Sequence, residues 1–302
     1  MNNDVQIHPT PLDGIIYFTP PGDYLLSGRD GIVAIQWGEK PPIPLLEEDF
    51  ITLEAVGSPD YDMVGRGIYQ ALRHNPDCVG AAEYAAVLKD AYPHIVSELG
   101  GQIIMLEAKE VDTPYLDRKI NFLKIMALLD PDNAGLPLEI ARAYVDKGSR
   151  LSSMQYAVTC WYAAEKQLKT AMTLDPADRH AAYEYGETLY VLGRYQQAAE
   201  IWSEVMVLLD PSERARVEAR IAGILAGKTP TVPPLDYLTA LSVAVEQHHS
   251  GFNDDAAAII KDVLDDPIFA AQFPLNEVYY LLGTCYQEIG LMTEAAEAFK
   301  RS

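Results

Sequence analysis

Two segments far apart in the chain set the same kinds of residue at the same intervals. Between 179 and 202 they are Ala182, Tyr185, Gly186, Leu189, Gly193, Ala198 and Trp202; between 276 and 299 they are Tyr279, Leu282, Gly283, Tyr286, Gly290, Ala295 and Phe299. Steps of three and four residues place side chains on one helix face, so each segment predicts two helices separated at its second glycine. Small residues such as Gly186 and Ala198 let the two helices approach, and Tyr185, Leu189 and Trp202 fill the space between them. One pair buries too little to stand alone. Neighbouring pairs must therefore stack, which constrains the chain to an array of helix pairs.

On these residues both segments resemble the tetratricopeptide repeat (TPR) family. The resemblance implies an all-α fold, a right-handed superhelix of antiparallel helix pairs, and a protein- or peptide-binding scaffold or adaptor with no catalytic role and no cofactor. In members of that family, residues two, five and nine of each unit face a concave surface. Carried onto this chain, they are His180, Tyr183 and Glu187 in the unit starting at Arg179, and Glu277, Tyr280 and Thr284 in the one starting at Asn276. A unit starting at Ala134 contributes Gly135, Leu138 and Arg142. The Lys, Asn and Arg set with which chaperone-binding members hold a terminal carboxylate is missing from these places. Tyrosine with glutamate instead predicts an acidic groove for a peptide with apolar and basic side chains.

Residues 1–58 have a different texture. Prolines at 20, 21, 41, 42 and 44 separate short apolar runs at 14–18, 23–26 and 31–37, which read as strands, with a hairpin turn at 27–31. Two or three strands are marginal alone, so this segment is expected to cover the first helices. Residues 59–302 are expected to form the solenoid, degenerate over 59–133 and clearer over 134–211 and 235–302. Helices are predicted over 78–91, 93–111 and 114–129, with Gly100-Gly101 weakening the middle one. Another is predicted over 137–147, stopped by Gly148. The interval from Pro131 to Pro176 is 45 residues, against about 34 for one unit. The surplus of about 11 equals three helical turns, so a long helix over 151–173 is expected to turn Val158, Trp161, Ala164, Leu168 and Ala171 inward. Ser212 is expected to cap a helix running to 226, and 235–249 with 253–264 to form another pair.

Composition narrows the partners. The formal charge is -21, from 44 acidic against 23 basic residues, which opposes binding to nucleic acid or an anionic membrane. No run is long and apolar enough to span a bilayer, and 1–14 lacks a basic cluster and an apolar stretch, so a cytoplasmic location is expected. Cys78, Cys160 and Cys285 are isolated, as in a reducing compartment.

Several motifs have plainer explanations than the chemistry they suggest. Ala222 to Thr229 (AGILAGKT) fits a permissive phosphate-loop pattern, but it closes a helical run instead of opening one, and Pro230, Pro233 and Pro234 follow it. Asp130, Asp132 and Asn133 suggest a calcium loop, yet Ala134 and Ala141 occupy ligand places. His248 and His249 are adjacent and diverge on a helix, and Asp254, Asp255, Asp262, Asp265 and Asp266 read as a solvated face. No metal site is expected. Two further readings are a ligand- or peptide-sensing regulator and an enzyme whose site lies between residues 1–58 and the helices. The last repeat ends without a polar capping helix, so the expectation is either that the native chain continues past Ser302 or that another surface, such as a second copy, covers that end.

Overall fold

The computed structural model describes residues 12–27, 34–38, 40–56, 58–92, 94–107 and 113–302. It divides into two compact units, Met1–Leu136 and Pro137–Ser302. The hairpin turn expected at 27–31 lies mostly outside the described residues.

In the first unit, β1 (Ile15–Phe18) pairs with β4 (Ile43–Leu46), and β2 (Leu25–Ser27) pairs with β3 (Ala34–Gln36), both antiparallel. β4 falls inside the proline run that the sequence reads as a break. Pro44, opposite Tyr17, lacks an N–H, which an edge strand tolerates. Helix α1 (Glu47–Val56) follows directly, also unforeseen, its first turn acidic as the helix dipole favours. α2 (Tyr61–His74) is capped by the Asp60 carboxylate, which accepts from the Met63 N–H. The buried face of α2, with Val64, Ile68 and Leu72, meets Ile43 and Leu45 of β4, all essentially inaccessible. A Cβ at Gly67 would collide with the Pro44 carbonyl, so strand and helix touch backbone to backbone. Tyr24 donates to the Pro59 carbonyl at 3.0 Å and Tyr84 to the Pro42 carbonyl at 2.5 Å, fastening the strands to the helices. The remaining helices are α3 (Ala81–Ala91), α4 (Ile95–Glu107) and α5 (Thr113–Leu129). Gly100 and Gly101 sit inside α4 without breaking it.

The second unit is all helical among its described residues. α6 (Gly135–Ser149) enters it and is followed by a 3₁₀ turn at Leu151–Tyr156 and by α7 (Ala157–Leu174). Gly148 does not stop α6. A Cβ there would press on Cys160 of α7, so the glycine serves a close helix crossing. The single long helix expected over 151–173 is two pieces, because Ser153 departs from helical dihedrals. This offset turns Val158 outward, 43% exposed, while Trp161, Ala164, Leu168 and Ala171 are buried.

α8 (Arg179–Val191) and α9 (Tyr195–Val205) form the clearest pair. The Trp202 indole lies where a Cβ on Gly186 would be, and its Nε1 donates to the Tyr183 carbonyl at 3.3 Å. α10 (Pro211–Leu225) is capped by Asp210, not Ser212: the carboxylate accepts the N–H groups of Ser212 and Glu213. α11 (Pro234–His249) and α12 (Asn253–Leu264) pair next, and the short α13 (Pro267–Gln272) precedes α14 (Asn276–Glu288) and α15 (Met292–Arg301). In the last pair, Phe299 approaches within 2.6 Å of a Cβ position on Gly283, as Trp202 crowds Gly186. The repeated glycine thus does the same work in both pairs. A continuous core of Trp161, Leu238, Leu241, Ile260, Phe269 and Leu282 runs through α7, α11, α12, α13 and α14.

Candidate peptide-binding cleft

Within the second unit a cleft of about 650 Å³ opens between α6, α8, α10, α11 and the start of α14. Its apolar lining includes Trp161, Leu238, Leu241, Phe269 and Val278, and its polar lining includes Glu184, Glu187 and Thr188 of α8 and Arg216 and Arg220 of α10. Tyr183 and Glu187 stand one turn apart on α8, as Arg216 and Arg220 do on α10, so the two helices meet through two rungs. Arg216 donates to the Tyr183 hydroxyl, and Arg220 pairs with Glu187 Oε2 at 2.6 Å. Arg220 also lies 4.7 Å over the Tyr190 ring, whose hydroxyl donates to Gln272 at 2.6 Å. On the α6 side, Arg142 bonds Glu139 and Glu184, and Arg150 bonds Asp146 at 2.8 Å.

Among the described residues, three buried polar side-chain atoms have no hydrogen-bond partner: Trp161 Nε1, Glu187 Oε1 and Thr188 Oγ1. All three residues line this cleft. A buried polar atom left unpaired costs on the order of 1–3 kcal/mol, and all three are covered by their neighbours, Trp161 Nε1 lying against Gly148 of α6. Burial pushes the Glu187 carboxyl above the usual carboxylate range, against the pull of Arg220. Burial, with Arg220 beside it, lowers Arg216.

The residues expected to face a partner are distributed unevenly. Tyr183, Glu187 and Glu277 line the cleft, and Arg142 stands behind it as the partner of Glu184. Tyr183 is only 6% exposed and belongs to the α8–α9 core. Glu277 accepts the Leu151 N–H at 3.4 Å. His180, exposed on the first turn of α8, meets Arg179. Tyr280 is 62% exposed against Phe299, and Thr284 bonds the Tyr280 carbonyl, both away from the cleft lining. Leu138 is buried among α6, α7 and α8. Arg216 and Arg220 are not evident from the sequence because they sit in the helix before the AGILAGKT decoy. Their spacing of four, aligned with Tyr183 and Glu187, is the signal that could have found them.

The decoys resolve as ordinary structure. Gly227, at φ +67°, ends α10, and the Lys228 N–H bonds the Gly223 carbonyl at 2.8 Å, a helix C-terminus and not a phosphate cradle. Asp130 accepts from Asn133 in a turn. Asp266 belongs to no solvated face: buried, it caps α13 through the Ile268 and Phe269 N–H groups and accepts from Thr231 N and the Tyr237 hydroxyl. His248 Nδ1 lies 2.6 Å from Asn253 Oδ1 and 3.6 Å from Cys285 Sγ, but burial raises that thiol to about 11, far from a reactive thiolate. In the first unit a hollow of about 460 Å³ is lined by Arg66, Tyr69 and Glu98, and Arg66 is paired with Asp49 at 2.8 Å. Among the described residues no helix is long and apolar enough to cross a membrane.

Two solved structures, both titled as crystal structures of MamA, are similar to the chain. The first is 16% identical over 70% of this chain and 91% of its own, with a TM-score of 0.34; the second is 18% identical over 62% and 86%, with a TM-score of 0.29. No curated protein matches. Residues 161–211, from α7 through α8 and α9 to the proline that opens α10, match the family model described as tetratricopeptide repeat. The likeness to that family rests on this stretch, which includes the glycine–aromatic crossing of α8 and α9.

Proposed function

We propose that the protein is a non-enzymatic interaction scaffold whose second unit receives a peptide segment in the cleft of α6, α8, α10, α11 and α14. The observation that carries this reading is the set of three unpartnered polar atoms in the walls of one hollow. Leu238, Leu241, Phe269 and Val278 offer an apolar floor, which favours apolar side chains in the occupant. Glu277, at the mouth, together with the net charge of -21, favours a basic residue where the peptide leaves the floor.

The test is selection from a random peptide display library, followed by fluorescence-polarisation titration of the selected sequences. Selected peptides should combine apolar residues with a lysine or arginine. Glu277→Lys should weaken them about tenfold or more, with helical content unchanged. A library yielding no binder, or binders indifferent to cleft substitutions, would overturn the assignment.

A further inference from the structure

The unpartnered atoms in the cleft are unlike in kind. Glu187 Oε1 accepts, Trp161 Nε1 donates, and the Thr188 hydroxyl does both. An occupant that answers them must therefore bring donors and acceptors together. Charge narrows the choice. Around the two rungs Arg216 and Arg220 stand with Glu187, while Arg142 is taken up between Glu139 and Glu184. Glu187 already has its cation in Arg220, while among the described residues Arg216 bonds the Tyr183 hydroxyl and no carboxylate. A lysine or arginine brought to Glu187 would meet the guanidiniums of Arg216 and Arg220 beside it. An aspartate or glutamate brought to Arg216 would meet Glu187 one turn away. A group that is uncharged and bifunctional offends neither.

Resting on the peptide-binding reading above, we infer that the α8–α10 wall of the cleft is a carboxamide subsite, taking the side chain of an asparagine or glutamine from the bound segment. Its N–H groups satisfy Glu187 Oε1, and its carbonyl accepts from Arg216. Thr188 supplies the adjoining hydroxyl. Glu187 Oε1 is covered by its neighbours, so engagement includes a side-chain rotation of the kind common at peptide interfaces. A side chain, and not the backbone of an extended peptide, has the reach to enter beneath the rim.

The experiment uses the full chain and a positional-scanning library of acetylated, amidated hexapeptides, with affinities read by fluorescence polarisation. At one position glutamine or asparagine should exceed glutamate, lysine and methionine by about tenfold or more, the cost of leaving charged hydrogen-bonding groups unanswered. Thr188→Val and Arg216→Met should each reduce that preference several-fold while keeping the helical content of the wild type. Binding without any carboxamide preference, or a preference unmoved by both variants, would overturn the subsite and leave the peptide-binding reading standing. Failure of every hexapeptide to bind would overturn both.

Discussion

Asp266 shows how one side chain can organise a loop. Its carboxylate takes N–H groups from Thr231, Ile268 and Phe269 and the Tyr237 hydroxyl, so it joins the 227–234 loop to α11 and α13, which form part of the cleft wall. Burial alone would raise its pKa, but these donors hold it down at about 2. The unfolded value is about 3.9. With the folded value depressed, the stabilisation is fully present above about pH 4 and is lost as pH falls toward 2. Asp266→Ala should therefore cost about 1–3 kcal/mol near pH 7. In parallel thermal melts, the gap between wild type and variant should narrow below pH 4; a gap constant from pH 7 to 2.5 would refute this account. The acidic run around Asp266 concealed it, since five nearby aspartates look alike until the fold shows which one is buried.

Helix pairs are the level at which the sequence was most legible, and the reason is steric. Gly186 and Gly283 are small because Trp202 and Phe299 occupy the space a side chain would need, a requirement that leaves a fixed spacing in the sequence. Gly186→Leu should destabilise by about 1–3 kcal/mol through overpacking, measured by urea denaturation; a neutral result would remove the indole from that crossing. The strand β4 and helix α1 were less legible because prolines mask an edge strand and α1 carries little amphipathic pattern. Val158 was misplaced for a related reason: a 3₁₀ turn shifts the register of everything after it, and nothing in residues 151–156 announces the shift. Val158→Glu should accordingly change stability by no more than about 0.5 kcal/mol, whereas Ala164→Glu, at a fully buried position, should cost several times more in the same denaturation assay.

At the scale of the whole molecule, charge has the widest reach. An excess of 21 negative charges repels itself in any compact state, and salt screens that repulsion over about 10 Å at 0.1 M. Melting temperature should rise between 10 and 150 mM sodium chloride; a fall would mean that the ion pairs along α6, α8 and α10 outweigh the repulsion. Composition revealed this excess but not its distribution. Of the glutamates expected to make the cleft acidic, Glu187 is matched by Arg220, which comes from a helix outside the recognisable repeats, so the chemistry of the cleft depends on the tertiary meeting of α8 with α10. The carbonyl of Pro44 resting at Gly67 bears on how the first unit is made. During synthesis β4 leaves the ribosome before the helix that receives it, since Pro44 precedes Gly67 in the chain. The contact between β4 and α2 therefore forms only once α2 has been made, and this part of the unit closes backward onto its own beginning.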